Sequence, residues 1–189
     1  MNVRRFATPL EYSLIGVLVL VGFWPSPALA QHHGPAADQK SALVKVVRES
    51  TERFRDVSVA DAEGYKLMFG CVSGPDFGAM GMHFVKGALL DDEIDATRPE
   101  IVIYEPLPGG RLRLIGADYL VFKDVWDARH PGTTPQLMGQ LFHLFEAPNR
   151  FGLPPFYTLH VWAWKDSPTG TFVNWHARVS CDAFSGQNP

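Results

Sequence analysis

The pattern that most restricts this chain is a pair of β-prone runs, residues 101–106 and 111–123, separated by Pro108-Gly109-Gly110. Branched and aromatic residues dominate both runs and the spacer is turn chemistry, so the two read as a β-hairpin. Alternation along the second run places Leu112, Leu114, Gly116, Asp118, Leu120 and Phe122 on one face. The opposite set includes Arg111, Arg113 and Lys123 and looks outward. Asp118 is therefore a lone carboxylate on an apolar, inward face. Such a group is costly to bury unless a cation, a metal or hydrogen-bond donors attend it.

The same test singles out histidines. Residues 156–164, Phe-Tyr-Thr-Leu-His-Val-Trp-Ala-Trp, contain no Gly or Pro and read as a buried strand with His160 at its centre. His83 lies in Ala-Met-Gly-Met-His-Phe-Val, residues 79–85, where Gly81 admits a ligand or a close backbone. His143 shares a face with Leu141 and Phe145, and His176 one with Phe172, Asn174 and Arg178. His130 precedes a proline in a loop and carries little signal. Imidazoles on separate strands plus an inward carboxylate suit a mononuclear transition metal, and one carboxylate shifts the preference toward Fe or Mn over Cu or Zn. The metal set is His83, His143, His160 and Asp118, with Glu105 as reserve ligand or general base. The competing reading of each histidine is a core residue with one satisfied hydrogen bond.

Residues 1–30 are set apart from the fold. Arg4 and Arg5, an apolar run over 14–23 and Ala28-Leu29-Ala30 have the layout of a secretory signal peptide cut after Ala30. The expected location is periplasmic or secreted, with no stable membrane anchor after cleavage. Removing Arg4, Arg5 and Glu11 from 17 basic and 20 acidic side chains leaves 15 and 19, a net charge of −4. That balance argues against nucleic acid or an anionic membrane as partner. A small-molecule ligand or substrate fits better. Cys71 and Cys181 are the only two cysteines. In an exported chain without a C-x-x-C spacing, they read as a structural disulfide.

The domain plan expects a polar, disordered N-terminus over residues 31–38, one globular domain over 39–182 and a flexible tail over 183–189. His33, third after the expected cut, has the spacing of a Cu(II) site built on a free amine, although incidental sequence accounts for it as well. From Asp38 or Ser41 an amphipathic helix is expected to run to about Glu63, capped by Gly64, with Glu49 and Arg53 paired on its outer face. Short strands follow at 67–72, 80–86, 101–106, 111–123, 137–145, 157–164 and 172–181. Residues 89–98 form an acidic connection and 126–135 a loop. The fold class is α+β and β-dominated, an N-terminal helix packed on an antiparallel sheet or small closed β-barrel.

Three stretches together are similar to a family of uncharacterised exported bacterial proteins. They are Ala79 to Val85, Pro99 to Pro106 with Gly139-Gln140, and Leu159-His160-Val161-Trp162-Ala163-Trp164 with Asn174-Trp175 and Val179-Ser180-Cys181. The resemblance covers roughly residues 55–181 and implies export without implying an activity. The family pattern has Glu-Tyr where this chain has Asp118-Tyr119, and Asn-Pro where it has His176-Ala177. The second departure weakens His176 as a functional residue and leaves His83 and His160 in place. Three histidines and a carboxylate on a small barrel also look like the cupin metal site, by analogy alone, since the opening H-x-H doublet is missing. Two functions fit: a metal-dependent oxidoreductase or hydrolase, and a non-enzymatic carrier of a small apolar ligand in an aromatic-lined cavity.

Overall fold

The computed structural model describes residues 35–186, which fall within one compact unit. The expected leader, its cleavage site and His33 lie outside the described residues. Among the described residues, no helix is long and apolar enough to cross a membrane.

The hairpin organises the sheet. β3 (Ile101–Leu107) and β4 (Arg111–Phe122) pair antiparallel, with Ile101 opposite Asp118 and Leu107 opposite Arg111. β1 (Lys66–Gly74) and β2 (Gly78–Val85) extend the sheet beyond β3. β8 (Phe156–Val161) and β7 (His143–Phe145) extend it beyond β4. The order β1-β2-β3-β4-β8-β7 is a curled, six-stranded antiparallel half-barrel. β1 and β7 are its two edges, so of the two expected arrangements the sheet is found and the closed barrel is not. A separate two-stranded ribbon pairs β5 (Gln136–Leu137) with β6 (Gln140–Leu141).

The expected outward face of the hairpin needs correcting. Ala117, Tyr119 and Val121 of β4 and Tyr157, Leu159 and Val161 of β8 are buried in one apolar cluster together with Leu43 and Val47. Leu120 and Phe156, from the alternate face, are buried in a second cluster. Covered on both faces, these strands read as almost continuous apolar runs.

Three other expectations change. The helix is interrupted: α1 (Pro35–Thr51) passes into a 3-10 turn (Glu52–Arg55) before α2 (Val57–Ala62). Asp56, extended at φ −93°, accepts a hydrogen bond from Ser58 N and so caps a new helix where the apolar periodicity suggests an uninterrupted one. Arg53 then pairs with Glu63 at 2.6 Å, while Glu49 faces Lys45 at 3.8 Å. Gly64 does take the left-handed conformation, at φ 94°. α3 (Lys123–Arg129) occupies part of the expected loop, with Lys123 and Asp127 paired one turn apart.

Residues 172–181 form no strand beyond a single bridge, His176 to Ala79. The bridge falls at the end of β2 that β3 does not reach, since β3 pairs only with residues 82–85. It is held instead by the Cys71–Cys181 disulfide and by Trp162 Nε1, which donates to Val173 O at 2.7 Å.

Candidate metal centre

β2 and β4 contribute His83 and Asp118 to one pocket, and β8 contributes Thr158 and His160. Asp118 and His160 are direct cross-strand partners, and His83 lies opposite Ile103, on the far side of β3. In a flat sheet β2 and β8 would stand about 14 Å apart, three inter-strand spacings. The curl of the sheet and the length of two imidazoles close that gap, and His83 Nε2 lies 3.4 Å from His160 Nε2. One ligating atom from each of His83, Asp118 and His160 falls within 4.8 Å of the others. All three residues are buried, at 7, 2 and 3% exposure.

Hydrogen bonding sets the protonation of His83. Its Nδ1 lies 3.2 Å from Gly81 O, and a carbonyl can only accept, so Nδ1 carries the proton and Nε2 keeps a free lone pair. Gly81 is suited to this place: its φ is 88°, and a Cβ there would meet Tyr104 O at 2.7 Å. His160 Nδ1 faces Asp118 Oδ1 at 3.6 Å, beyond hydrogen-bond range, and has no partner among the described residues. With its proton on Nε2, His160 donates to the His83 lone pair at 3.4 Å and leaves Nδ1 without a donor; with its proton on Nδ1, it turns a second lone pair on the His83 nitrogen, an arrangement that a cation between them would relieve.

Charge points the same way. Burial pushes His83 down to about 4, the His160 imidazole adding to the effect and Asp118 opposing it. Burial likewise pushes His160 down to about 3. Both rings are therefore neutral near pH 7. Asp118 rises to about 6 through burial, opposed by His83, by the Thr158 hydroxyl that donates to Oδ1 and by the Leu159 and Tyr119 backbone N–H groups. The cluster at neutral pH is a buried carboxylate with two neutral imidazoles, a donor set that matches a divalent metal.

The cluster forms the polar floor of a pocket of about 80 Å³. Thr158 belongs to that floor, and Met80, Val85, Ile101, Leu120 and Phe156 supply apolar wall. Residue pattern alone does not single out Thr158 as a supporting residue. Its position two residues before His160, on the same strand face, was the available signal.

The other candidates lie elsewhere. His143, on β7 opposite Thr158, is exposed and outside the three-residue group; its Nδ1 is 3.2 Å from Asn174 Oδ1. Glu105 is buried in an ion-pair cluster with Arg113 and with Lys165, whose Nζ is 2.6 Å from Oε1. Burial alone pushes Glu105 up, but hydrogen bonds from Lys165 and Arg113 outweigh it and hold the carboxyl below its usual value. A carboxylate stabilised in this way is a poor proton acceptor. His176 has both nitrogens engaged: Nδ1 accepts from Arg178 N at 3.1 Å and Nε2 donates to Lys165 O at 3.3 Å. It behaves as a satisfied core histidine. His130 stacks on Trp126 with ring centroids 4.0 Å apart.

No protein-family model matches the chain, and neither curated proteins nor solved structures contain a significant match.

Proposed function

We propose that this protein binds one transition-metal ion through His83 and His160, with Asp118 supplying the negative charge. The observation that carries this is the convergence of two neutral imidazoles and a carboxylate in a buried site, where His160 Nδ1 is otherwise unpartnered. Asp118 serves as third ligand or as acceptor for the His160 Nδ1–H, the outer contact common around ligating histidines. Two imidazoles and one carboxylate favour Fe(II) or Mn(II) among the candidates and leave coordination positions for water or substrate. A metal so placed supplies Lewis acidity or redox chemistry, which corresponds to a hydrolase or an oxidoreductase. The protein's own part is to hold the donors unprotonated and to keep the apolar pocket beside them dry.

Metal analysis of purified protein tests this. About one equivalent is expected in the wild type, with loss in His83→Ala and His160→Ala and retention in His143→Ala. Asp118→Asn weakens binding in both of its roles, whereas Asp118→Glu restores it more readily for a direct ligand than for an acceptor. Substoichiometric metal, unchanged by either buried histidine substitution, refutes the proposal. The apolar wall supports a second reading, a carrier of a small apolar ligand oriented by the histidines. Ligand-dependent quenching of Trp162, whose ring is 5.5 Å from His160, in protein free of metal would favour it. We read the chain as exported, consistent with the disulfide, a bond of oxidising compartments.

A further inference from the structure

The pocket above the cluster has a floor and a rim of opposite character. Its polar side chains, His83, Asp118, Thr158 and His160, all lie at the buried end. The lining that is at least partly exposed is Met68, Phe69, Leu90, Phe122, Phe145, Phe151 and Leu153, without a polar side chain among them. A charged solute entering from water would shed its hydration shell against this rim and gain no partner there. An uncharged molecule would not suffer that loss.

Size narrows the class further. The pocket's 80 Å³ is about half the ~150 Å³ of an apolar cavity that admits benzene. The space therefore suits no more than about four non-hydrogen atoms.

The rim is also built, rather than left over from packing. Phe69 stands at φ 64°, in the left-handed region that a bulky side chain rarely adopts. It is followed by Gly70 at φ 65°, and the two form the bulge between Met68 and Cys71 that interrupts the β1–β2 register. This strained turn sets the Phe69 ring 5.5 Å from that of Phe151. Phe151 is held from the other side by Asn149. Asn149 Oδ1 accepts from Phe151 N and Leu153 N, both at 3.2 Å, and Nδ2 donates to Leu153 O at 2.9 Å. Strain at a pocket mouth, maintained by a disulfide-anchored strand and an asparagine-clamped loop, is characteristic of a functional constraint.

We propose that Phe69 and Phe151 form a size-and-charge filter, and that the pocket takes an uncharged molecule of dioxygen size to about four non-hydrogen atoms. This rests on the metal reading only for what the molecule meets at the floor; the filter itself stands on the rim.

The test uses disulfide-bonded protein stripped of metal with EDTA, so its outcome is independent of the metal content measured above. Methyl NMR signals of Ile101 and Leu120 report on the pocket as xenon, benzene or acetate is added. In the wild type, xenon shifts both signals while benzene and acetate do not. In Phe69→Gly, which removes the ring and relieves the backbone at the same time, benzene enters with at least tenfold higher apparent affinity. Phe151→Ala and the indirect variant Asn149→Ala behave alike. The proposal is overturned if acetate shifts these methyls, if xenon leaves them unmoved, or if benzene enters the wild type as readily as Phe69→Gly. Intact filtering together with substoichiometric metal in the purified protein before stripping refutes the metal reading alone.

Discussion

Glu100 is a buried acid that forms no ion pair among the described residues, which makes protein stability depend on pH in a definite direction. It lies one residue before β3, is 2% exposed, and its Oε2 accepts a hydrogen bond from Leu120 N at 3.2 Å. Burial pushes its carboxyl up to about 8; the hydrogen bonds from its own backbone and from Leu120 oppose this, and Asp118 and Asp91 reinforce it. In the unfolded chain it titrates at about 4.3. Because the folded value is raised, the stabilising contribution is present in full below the unfolded value and is lost as pH rises through the folded one. Between pH 6.5 and 8 the unfolded chain carries Glu100 ionised while the folded chain passes from protonated to half-ionised. Folding takes up close to one proton at the lower end and about half at the upper, so this group's contribution falls by about 1.6 kcal/mol over the window. His83 and His160, lowered in the fold but titrating near 6.5 when unfolded, act in the opposite direction and gain about 0.4 kcal/mol each over the same window, while Asp118 has finished titrating for the most part. Glu100→Gln keeps the acceptor for Leu120 N and removes the titration, so the stability difference between wild type and variant should shift by about 1.6 kcal/mol across the window. Urea denaturation at pH 6.5 and 8, at constant ionic strength and with EDTA present, measures both proteins. A wild-type-minus-variant difference that is the same at the two pH values would refute the reasoning.

Other perturbations have expected sizes. Replacing Cys71 and Cys181 by serine opens a loop with a sequence separation of 110 and should cost about 5 kcal/mol on the chain-entropy model, measured by denaturation without reductant; a loss below ~1 kcal/mol contradicts it. Gly116→Ala puts a Cβ 2.5 Å from Val161 O and 3.3 Å from Trp162 Cε3, so β4 and β8 must separate, at about 1–3 kcal/mol. Gly87→Ala meets nothing within 4 Å and is the control, expected to change stability by less than ~0.5 kcal/mol. Lys165→Met leaves Glu105 buried with only the half-exposed Arg113 and should destabilise by about 3 kcal/mol. Adding Glu105→Leu should recover much of that loss, and a double-mutant cycle showing simple additivity would count against the pairing.

The hairpin was legible because turn chemistry and two-residue alternation are local properties, and β3 and β4 lie where both indicated. Asp118, His83 and His160 were legible as anomalies, polar groups in runs otherwise fit for burial. His143 carried the same local signal, yet it sits on an edge strand and is exposed. Apolar periodicity shows which face a side chain takes, but not whether another layer covers that face. Glu105 was misjudged for a related reason. Its partners, Arg113 across the hairpin and Lys165 sixty positions along the chain, convert an apparent reserve base into a satisfied ion pair.

Local residue order, then, determined the hairpin, the cysteine pairing expectation and the short roster of polar groups in apolar segments. The curl of the sheet decided which of those groups meet, since it alone brings His83 across β3 to within 3.4 Å of His160. It also set a strained Phe69 over the same pocket, with nothing in the neighbouring residues to announce it. Strand formation depends on neighbours along the chain. Convergence depends on twist and closure summed over several strands, a long-range quantity that no single segment contains.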